Sequence, residues 1–311
     1  MFPERFNAIR GLDSKILCSL LSQAAKIKSS PESYASVLKG KTILQFFVEN
    51  STRTRLSFEA ATRKLGGVNL SFSAATSSLS KGETLTDTVN VIRQYGVDGI
   101  VVRHRSMGAP DLLSNATGLP VINAGDGAHE HPTQALLDAF TLGEHWKVDF
   151  KNPDCFRGKK IMILGDLRHS RVARSNIHLL TALQAEVHVC APSTLMIPNL
   201  ELFPKVTTHS FPDSVISGMD ALMALRIQTE RQTQGVIPSL AEYREFWGLS
   251  VERAKRLARK TVILHPGPMN RGVEIDSEVA DSAASLILKQ VENGIFARMS
   301  VLASVVGRVN S

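Results

Sequence analysis

Short apolar runs rich in β-branched and aromatic residues alternate with helical stretches along the whole chain. Alternation at this spacing is typical of parallel sheets with right-handed crossovers. Strands are predicted near 42–48, 68–72, 98–102 and 120–123, and again near 160–164, 186–190, 205–208, 220–224 and 261–264. Helices are predicted near 53–65, 84–95 and 109–116, and between the later strands. The pattern therefore predicts an α/β fold of two doubly wound parallel-sheet domains joined by long helices.

The length of the chain requires more than one domain. A chain of 311 residues exceeds what a single hydrophobic core usually serves. We expect the first domain at 1–131 and the second at 132–284. A helical segment from Pro132 to Trp146 is predicted to bridge them. A second long helix, from about Ser282 to Val305, is predicted to return, so that residues from about 285 to 311 pack on the first domain.

Hydroxyls and guanidiniums cluster where the first predicted strand gives way to a helix. Residues 51–55 read Ser-Thr-Arg-Thr-Arg and stand directly before the helical run that begins at Leu56. A helix N-terminus offers unpaired N–H groups and the positive end of the helix dipole. The segment therefore predicts an oxyanion site, most naturally for phosphate. The alternative is an ordinary N-cap followed by solvated arginines.

A second polar cluster follows the strand at 120–123. Residues 129–138 read His-Glu-His-Pro-Thr-Gln-Ala-Leu-Leu-Asp. Pro132 suits the first turn of a helix, which places His131 at the helix N-terminus and Gln134 less than one turn later. A helix N-terminus disfavours imidazolium, so we expect a neutral His131 that donates a hydrogen bond to a polarised carbonyl.

Three ordered motifs resemble those of the aspartate/ornithine carbamoyltransferase family. They are Ser51-Thr52-Arg53-Thr54-Arg55, His131-Pro132-Thr133-Gln134 and His265-Pro266-Gly267-Pro268. Within the family the chain resembles the aspartate branch, because its second and third motifs contain no cysteine, whereas those of the ornithine enzymes do. The segment 226–231, Arg-Ile-Gln-Thr-Glu-Arg, also resembles that branch. Its cations suit a dicarboxylic amino acid.

The resemblance implies a reaction and a set of site residues. The amine of L-aspartate would attack the carbonyl carbon of carbamoyl phosphate, with no metal and no organic cofactor. The phosphate would be held by Ser51, Thr52, Arg53, Thr54 and Arg103. Arg53, Thr54 and His131 would polarise the carbonyl oxygen. Gln134 and the turn Pro266-Gly267-Pro268, through the backbone carbonyls of Pro266 and Gly267, would orient the carbamoyl NH2 group.

The resemblance also implies an aspartate site and a shared assembly. Arg171, Arg226 and Gln228 would bind the two carboxylates of aspartate, although each could instead be a structural residue. Lys81, in the Gly- and Ser-containing segment 73–84, would reach into the site of a neighbouring subunit of a homotrimer. Either Ser77 or Ser78 would be the contact serine. A regulatory chain or a dihydroorotase partner stays open.

Composition limits the alternatives. The net charge of +7 raises the possibility of nucleic-acid binding, but no aromatic-interleaved basic stripe accompanies it. The densest basic run, 253–260, is predicted to form the outer face of a helix. No apolar run approaches the ~20 residues that span a membrane. Three scattered cysteines, Cys18, Cys155 and Cys190, indicate reduced thiols and a cytoplasmic protein.

Two further functions compete with the one that the motifs favour. The nearest is a carbamoyltransferase of the same family with a different amine acceptor. The other is a non-catalytic anion-binding module that retains the phosphate cradle without turnover.

Overall fold

Two five-stranded parallel sheets organise the computed structural model, which describes residues 4–73, 84–203, 205–228 and 237–308. The strands are β1 (Arg5–Phe6), β2 (Thr42–Phe47), β3 (Val68–Ser73), β4 (Gly99–His104), β5 (Val121–Asp126), β6 (Lys160–Leu164), β7 (Glu186–Cys190), β8 (Val206–His209), β9 (Ala221–Ala224) and β10 (Val262–Leu264). The helices are α1 (Ser14–Ser29), α2 (Thr52–Lys64), α3 (Leu85–Arg93), α4 (Ala109–Thr117), α5 (Pro132–Trp146), α6 (Arg171–Ala182), α7 (Leu240–Trp247), α8 (Val251–Ala254), α9 (Ser277–Ala280) and α10 (Ile287–Val305).

The first sheet has the strand order β1-β5-β4-β2-β3. Its strands are apolar on both faces because helices cover both faces. On β2, Ile43 and Phe47 join the core under α1, α5 and α10, whereas Leu44 and Phe46 join the core under α3 and α4. This period of two assigns each residue of the strand to one of two cores.

The second sheet has the order β10-β9-β6-β7-β8. In both sheets the chain leaves a central strand toward opposite edges, and the reversal lies between β2 and β4 in the first sheet and between β6 and β9 in the second. Ligands of doubly wound sheets bind beyond the carboxyl ends of strands at such a reversal. The candidate residues that follow β2, β4, β6 and β9 therefore stand where this fold binds ligands.

Two long helices join the halves. α5 packs against both α10 and α6, and α10 also packs against α1 and α2. Polar contacts fix α10 on the first half, since the Ser300 hydroxyl donates to the Leu20 carbonyl at 2.8 Å and Arg298 Nη1 donates to the Ser57 hydroxyl at 2.9 Å. The predicted fold class, two doubly wound parallel-sheet domains joined by long helices, is confirmed. The boundaries 1–131 and 132–284 stay predictions.

Two sequence-based expectations need correction. The final helix begins at Ile287 rather than near Ser282, because Ser285 forms a bridge with Ile263 and the Leu286 N–H donates to the Ile263 carbonyl at 2.8 Å. The basic run 253–260 is not the outer face of a helix, since α8 ends at Ala254. Arg253, its first member, is buried and paired with Asp213 at 2.7 Å.

A search of the described residues for a long apolar helix that could cross a lipid bilayer finds none.

Candidate active site

The first turn of α2 presents the Ser-Thr-Arg-Thr segment at the end of β2. Ser51 stands at the N-cap with an extended backbone (φ −161°, ψ 92°), and among the described residues its side chain makes no capping hydrogen bond. Thr54 is buried, while Thr52 and Arg53 are exposed. The Ser51 hydroxyl and the backbone N–H groups of this turn therefore form no capping bond with each other.

The Pro266–Pro268 turn lies against Arg53. Gly267 has a left-handed backbone (φ +62°), and a Cβ built there would collide with the Arg53 guanidinium. The Gly267 N–H donates to His265 Nδ1 at 2.8 Å, which fixes the turn. The structure therefore brings together two motifs that are more than two hundred residues apart in the chain, and the left-handed backbone at this close contact favours glycine.

One carboxylate holds two of the predicted arginines. Arg103 Nη2 lies 2.9 Å from Glu49 Oε1, and Arg171 Nη1 lies 3.1 Å from Glu49 Oε2, with a further ion pair between Arg171 Nη2 and Glu49 Oε1. Arg103 also donates to the Ala124 carbonyl at 3.2 Å. A Cβ at Gly125 would lie 2.9 Å from Arg171 Nε, so a glycine is needed for this approach. Arg103 lies near the end of β4 rather than beyond it, and Arg171 begins α6 in the second half, so Glu49 links the two halves of the cleft.

Glu49 belongs to none of the motifs recognised in the sequence, which assign it no role. The sequence feature that could have identified Glu49 is its position as a single carboxylate between the end of a strand and a cluster of cations. A buried or half-buried cluster of like charges requires a counter-charge.

His131 is buried at the N-terminus of α5. Its backbone N–H donates to the Ser175 hydroxyl at 2.9 Å, and that hydroxyl donates to Glu130 Oε2 at 2.7 Å. Burial, followed by the charges of Arg103, Arg171 and Arg298, holds the pKa of His131 well below its usual range. The imidazole is therefore neutral at neutral pH, and the main cause is burial rather than the helix terminus alone.

Arg226 and Gln228 follow β9 on the other side of the cleft. Partial burial lowers the pKa of Arg53, and the charge of Arg226 lowers it further. The two guanidiniums therefore lie within electrostatic reach of each other. Gln228 Nε2 donates to the His169 carbonyl at 3.3 Å. The Asn270 side chain donates to the Ile227 carbonyl at 3.2 Å and so joins this segment to the region after the Pro266–Pro268 turn.

Gln134 lies one turn into α5 and is 7% exposed. Its Nε2 donates to Asp138 Oδ1 at 2.8 Å. Lys81, Ser77 and Ser78 lie outside the described residues, as do residues 229–231 of the segment that begins at Arg226.

The arrangement suits an anionic ligand with more than one charge. Arg103 and Arg171, from different halves of the chain, share Glu49, and Arg53 and Arg226, also from different halves, lie within electrostatic reach of each other. Guanidinium forks match phosphate and carboxylate oxygens. Within the described part of the chain, no group of three or more His, Cys, Asp or Glu side chains is arranged to hold a metal ion.

Comparison with protein families gives two adjoining matches. Residues 5–144 match the family model described as the aspartate/ornithine carbamoyltransferase, carbamoyl-P binding domain, and residues 157–305 match that described as the Asp/Orn binding domain. Two similar relatives are each named "aspartate carbamoyltransferase catalytic subunit". That of Myxococcus xanthus is 46% identical over 94% of this chain and 96% of its own. That of Chlorobaculum parvum is 48% identical over the same shares.

Solved structures agree in fold. Aspartate transcarbamoylase from Trypanosoma cruzi, in complex with N-(phosphonacetyl)-L-aspartic acid, superposes with a TM-score of 0.87 at 28% identity, covering 97% of this chain and 95% of that one. Ornithine carbamoyltransferase from Thermus thermophilus reaches 0.85 at 25% identity, covering 98% and 100%. The fold is therefore common to both branches, and the acceptor must be argued from side chains and from the closer sequence relatives.

Proposed function

The chain belongs to the aspartate/ornithine carbamoyltransferase family, and on that premise we propose that it is an aspartate carbamoyltransferase catalytic chain. It transfers the carbamoyl group of carbamoyl phosphate to the amine of L-aspartate. The products are N-carbamoyl-L-aspartate and phosphate, and the reaction is the committed step of de novo pyrimidine biosynthesis.

One observation carries this proposal. Guanidiniums from both halves of the chain meet in one cleft, with Arg171 joined to Arg103 through Glu49 and Arg226 within electrostatic reach of Arg53. A phosphate and a dicarboxylate together bring the negative charge that such a cleft requires. L-Ornithine would bring an additional cation instead.

Catalysis in this cleft rests on position and electrostatics. Carbamoyl phosphate already carries a good leaving group, so no covalent intermediate on the enzyme is needed. We assign Ser51, Thr52, Arg53, Thr54 and Arg103 to the phosphate. Arg53, Thr54 and the neutral His131 stabilise the carbonyl oxygen as it gains negative charge. The amine nitrogen forms a bond to the carbonyl carbon, the C–O bond to phosphate breaks, and the proton that the amine loses leaves with the phosphate.

The remaining assignments orient the two substrates. Gln134 and the turn Pro266–Pro268 receive the carbamoyl NH2 group. Arg171, Arg226 and Gln228 bind the carboxylates of aspartate, because paired guanidinium forks grip a dicarboxylate more firmly than lysine. Lys81, outside the described residues, completes the site.

The assembly and location are also part of the proposal. We expect a cytoplasmic homotrimer in which each site receives Lys81 from the neighbouring subunit. Light scattering of a natively purified complex tests whether a regulatory chain or a dihydroorotase accompanies the trimer.

A colorimetric assay of ureido product tests the activity directly. Carbamoyl phosphate is supplied with L-aspartate, L-ornithine or N-acetyl-L-ornithine in parallel. We expect product with L-aspartate and a rate at least about a hundredfold lower with the other two, since a site built for paired charges rejects a ligand that lacks them. Product with L-ornithine alone would assign the other branch, and no product with any acceptor would leave only an anion-binding module.

A further inference from the structure

A buried carboxylate next to the cleft accepts hydrogen bonds from three side-chain amides. Asp138, on α5, is fully buried. Its Oδ1 accepts from Gln134 Nε2 at 2.8 Å and from Gln290 Nε2 at 2.7 Å, and its Oδ2 accepts from Asn176 Nδ2 at 2.8 Å. Three elements, α5, α6 and α10, therefore meet at this one side chain.

An ionised carboxylate can only accept, and this restricts how the amides are turned. Gln134 must present its NH2 group to Asp138, which leaves its Oε1 as an acceptor. None of the described residues donates a hydrogen bond to that oxygen. Gln290 must also present its NH2 group to Asp138, and its Oε1 then accepts the backbone N–H of His265 at 2.9 Å. His265 in turn accepts the Gly267 N–H at 2.8 Å.

We propose that Asp138 is a positioning residue that makes the site selective for the carbamoyl NH2 group, by fixing the Gln134 amide with its oxygen toward the substrate and, through Gln290, the turn that carries Pro266 and Gly267. This inference rests on the proposed function. A carbamoyl NH2 group donates two hydrogen bonds, and it requires acceptors on both sides. Asp138 supplies the orientation of one and anchors the other without touching the substrate.

The surroundings of Asp138 limit the range of pH in which its carboxylate fixes the Gln134 amide. Of the elements packed around it, α10 contributes the charged group that acts on it, Arg298, while α6 contributes the neutral Asn176. Burial raises the pKa of Asp138 to about 6, against the opposing effect of its amide donors and Arg298. Above that pH the carboxylate is an acceptor only. Below it one oxygen carries a proton and competes with an amide for its place.

Two matched ligands report the orientation of Gln134. Phosphonoacetamide carries the NH2 group, and acetonylphosphonate replaces that group by methyl while keeping the phosphonate and the carbonyl. Isothermal titration at pH 8 should show that the wild-type protein prefers the amide by about tenfold, the value of one or two good hydrogen bonds. In Asp138→Leu, which has the same branched shape and accepts nothing, the preference should fall below about threefold.

A control and a second measurement guard against misfolding. Asp220→Asn changes another buried carboxylate, one that accepts the Lys160 N–H at 2.9 Å far from these amides, and it should keep the wild-type preference. If Asp138→Leu does not fold, the wild-type protein is titrated from pH 8 to pH 5. The affinity ratio should fall as the pH passes about 6, and titration of the phosphonate cancels because both ligands carry it.

The outcomes separate this inference from the proposed function. A preference that stays above about threefold in Asp138→Leu, or a ratio that does not change with pH, overturns the role of Asp138 even when L-aspartate is carbamoylated. Absence of product with every acceptor overturns the proposed function, whatever the two phosphonates do.

Discussion

At the scale of single residues, one negative charge holds the positively charged cleft together. Arg103 and Arg171 would repel each other without a counter-charge, and Glu49 contacts both. At short range in a partly buried cleft such interactions are worth several times their value in water. The carboxylate of Glu49 therefore keeps these two guanidiniums in place for an anionic ligand.

Arg53→Ala should reduce turnover while leaving the fold intact, because this side chain lies over Gly267 and the cleft rather than in the core. A charge-assisted contact to the developing oxyanion contributes ~3–4 kcal/mol, or roughly a hundred- to thousandfold in kcat. Arg55→Ala is the matched control, since Arg55 is exposed and faces Glu59 at 3.7 Å on the helix surface. Steady-state assay and thermal unfolding of both variants check this. A loss of less than about threefold in Arg53→Ala would place the phosphate elsewhere.

The sequence allowed prediction of the residues that belong to motifs but not of the residues that support them. Arg53, His131 and Gly267 were expected at one site because each belongs to one of the three motifs that resemble those of the family. Glu49 and Asp138 act through other side chains, and their roles depend on distances that appear only when distant segments meet. Neither has a local pattern that distinguishes it from a surface carboxylate.

At the scale of elements, the prediction succeeded where local pattern determines structure. The strands at 42–48 and 160–164 were predicted because runs buried on both faces must be apolar throughout, and the structure has β2 at Thr42–Phe47 and β6 at Lys160–Leu164. It was wrong where a distant partner decides. The start of α10 depends on pairing with Ile263, and the burial of Arg253 depends on Asp213.

A glycine in α5 shows how closely the joining helix is packed. Gly143→Ala would gain about 1 kcal/mol of helix propensity on an open surface. Here the added Cβ collides with the Phe150 ring and lies 3.0 Å from Val148 Cγ2, so we expect a net loss of about 1–3 kcal/mol in the free energy of unfolding. Gly218→Ala, where no atom lies within 4 Å, is the control and should stay within about 0.5 kcal/mol. Denaturant unfolding measures both, and a more stable Gly143→Ala would show that the ring moves freely.

At the scale of the whole molecule, Glu49 couples the two halves of the cleft. Glu49→Gln keeps the shape but loses the charge that Arg103 and Arg171 share. The two guanidiniums should then separate, and we expect the KM for aspartate to rise by about tenfold or more, as for a lost charge-assisted contact of ~1.5–3 kcal/mol. Glu59→Gln, at a half-buried position of α2 that faces Arg55, should leave this KM unchanged. Unchanged KM for aspartate in Glu49→Gln would mean that the ion pairs do not position Arg171.

The proposed sharing of sites makes activity a property of the ring rather than of one chain. In a closed trimer every interface is heterologous, so each site would combine Arg53 of one subunit with Lys81 of the next. Two variants that are each inactive alone would then complement each other wherever an intact Arg53 meets an intact Lys81. A site contained in one chain could never recover in this way.

Subunit mixing tests that assembly. Arg53→Ala and Lys81→Ala proteins are prepared separately, each with little activity, and are then dissociated, mixed in equal amounts and reassembled. Random mixing gives about three-quarters mixed rings, and each mixed ring contains one intact site of its three, so roughly one quarter of wild-type activity should return. A mixture of Arg55→Ala and Arg53→Ala proteins is the control for dilution. The Arg55→Ala subunits keep both Arg53 and Lys81, so activity in this mixture does not require complementation. Activity that stays near zero after exchange is verified by mass spectrometry would place Lys81 in the site of its own chain, or outside the site.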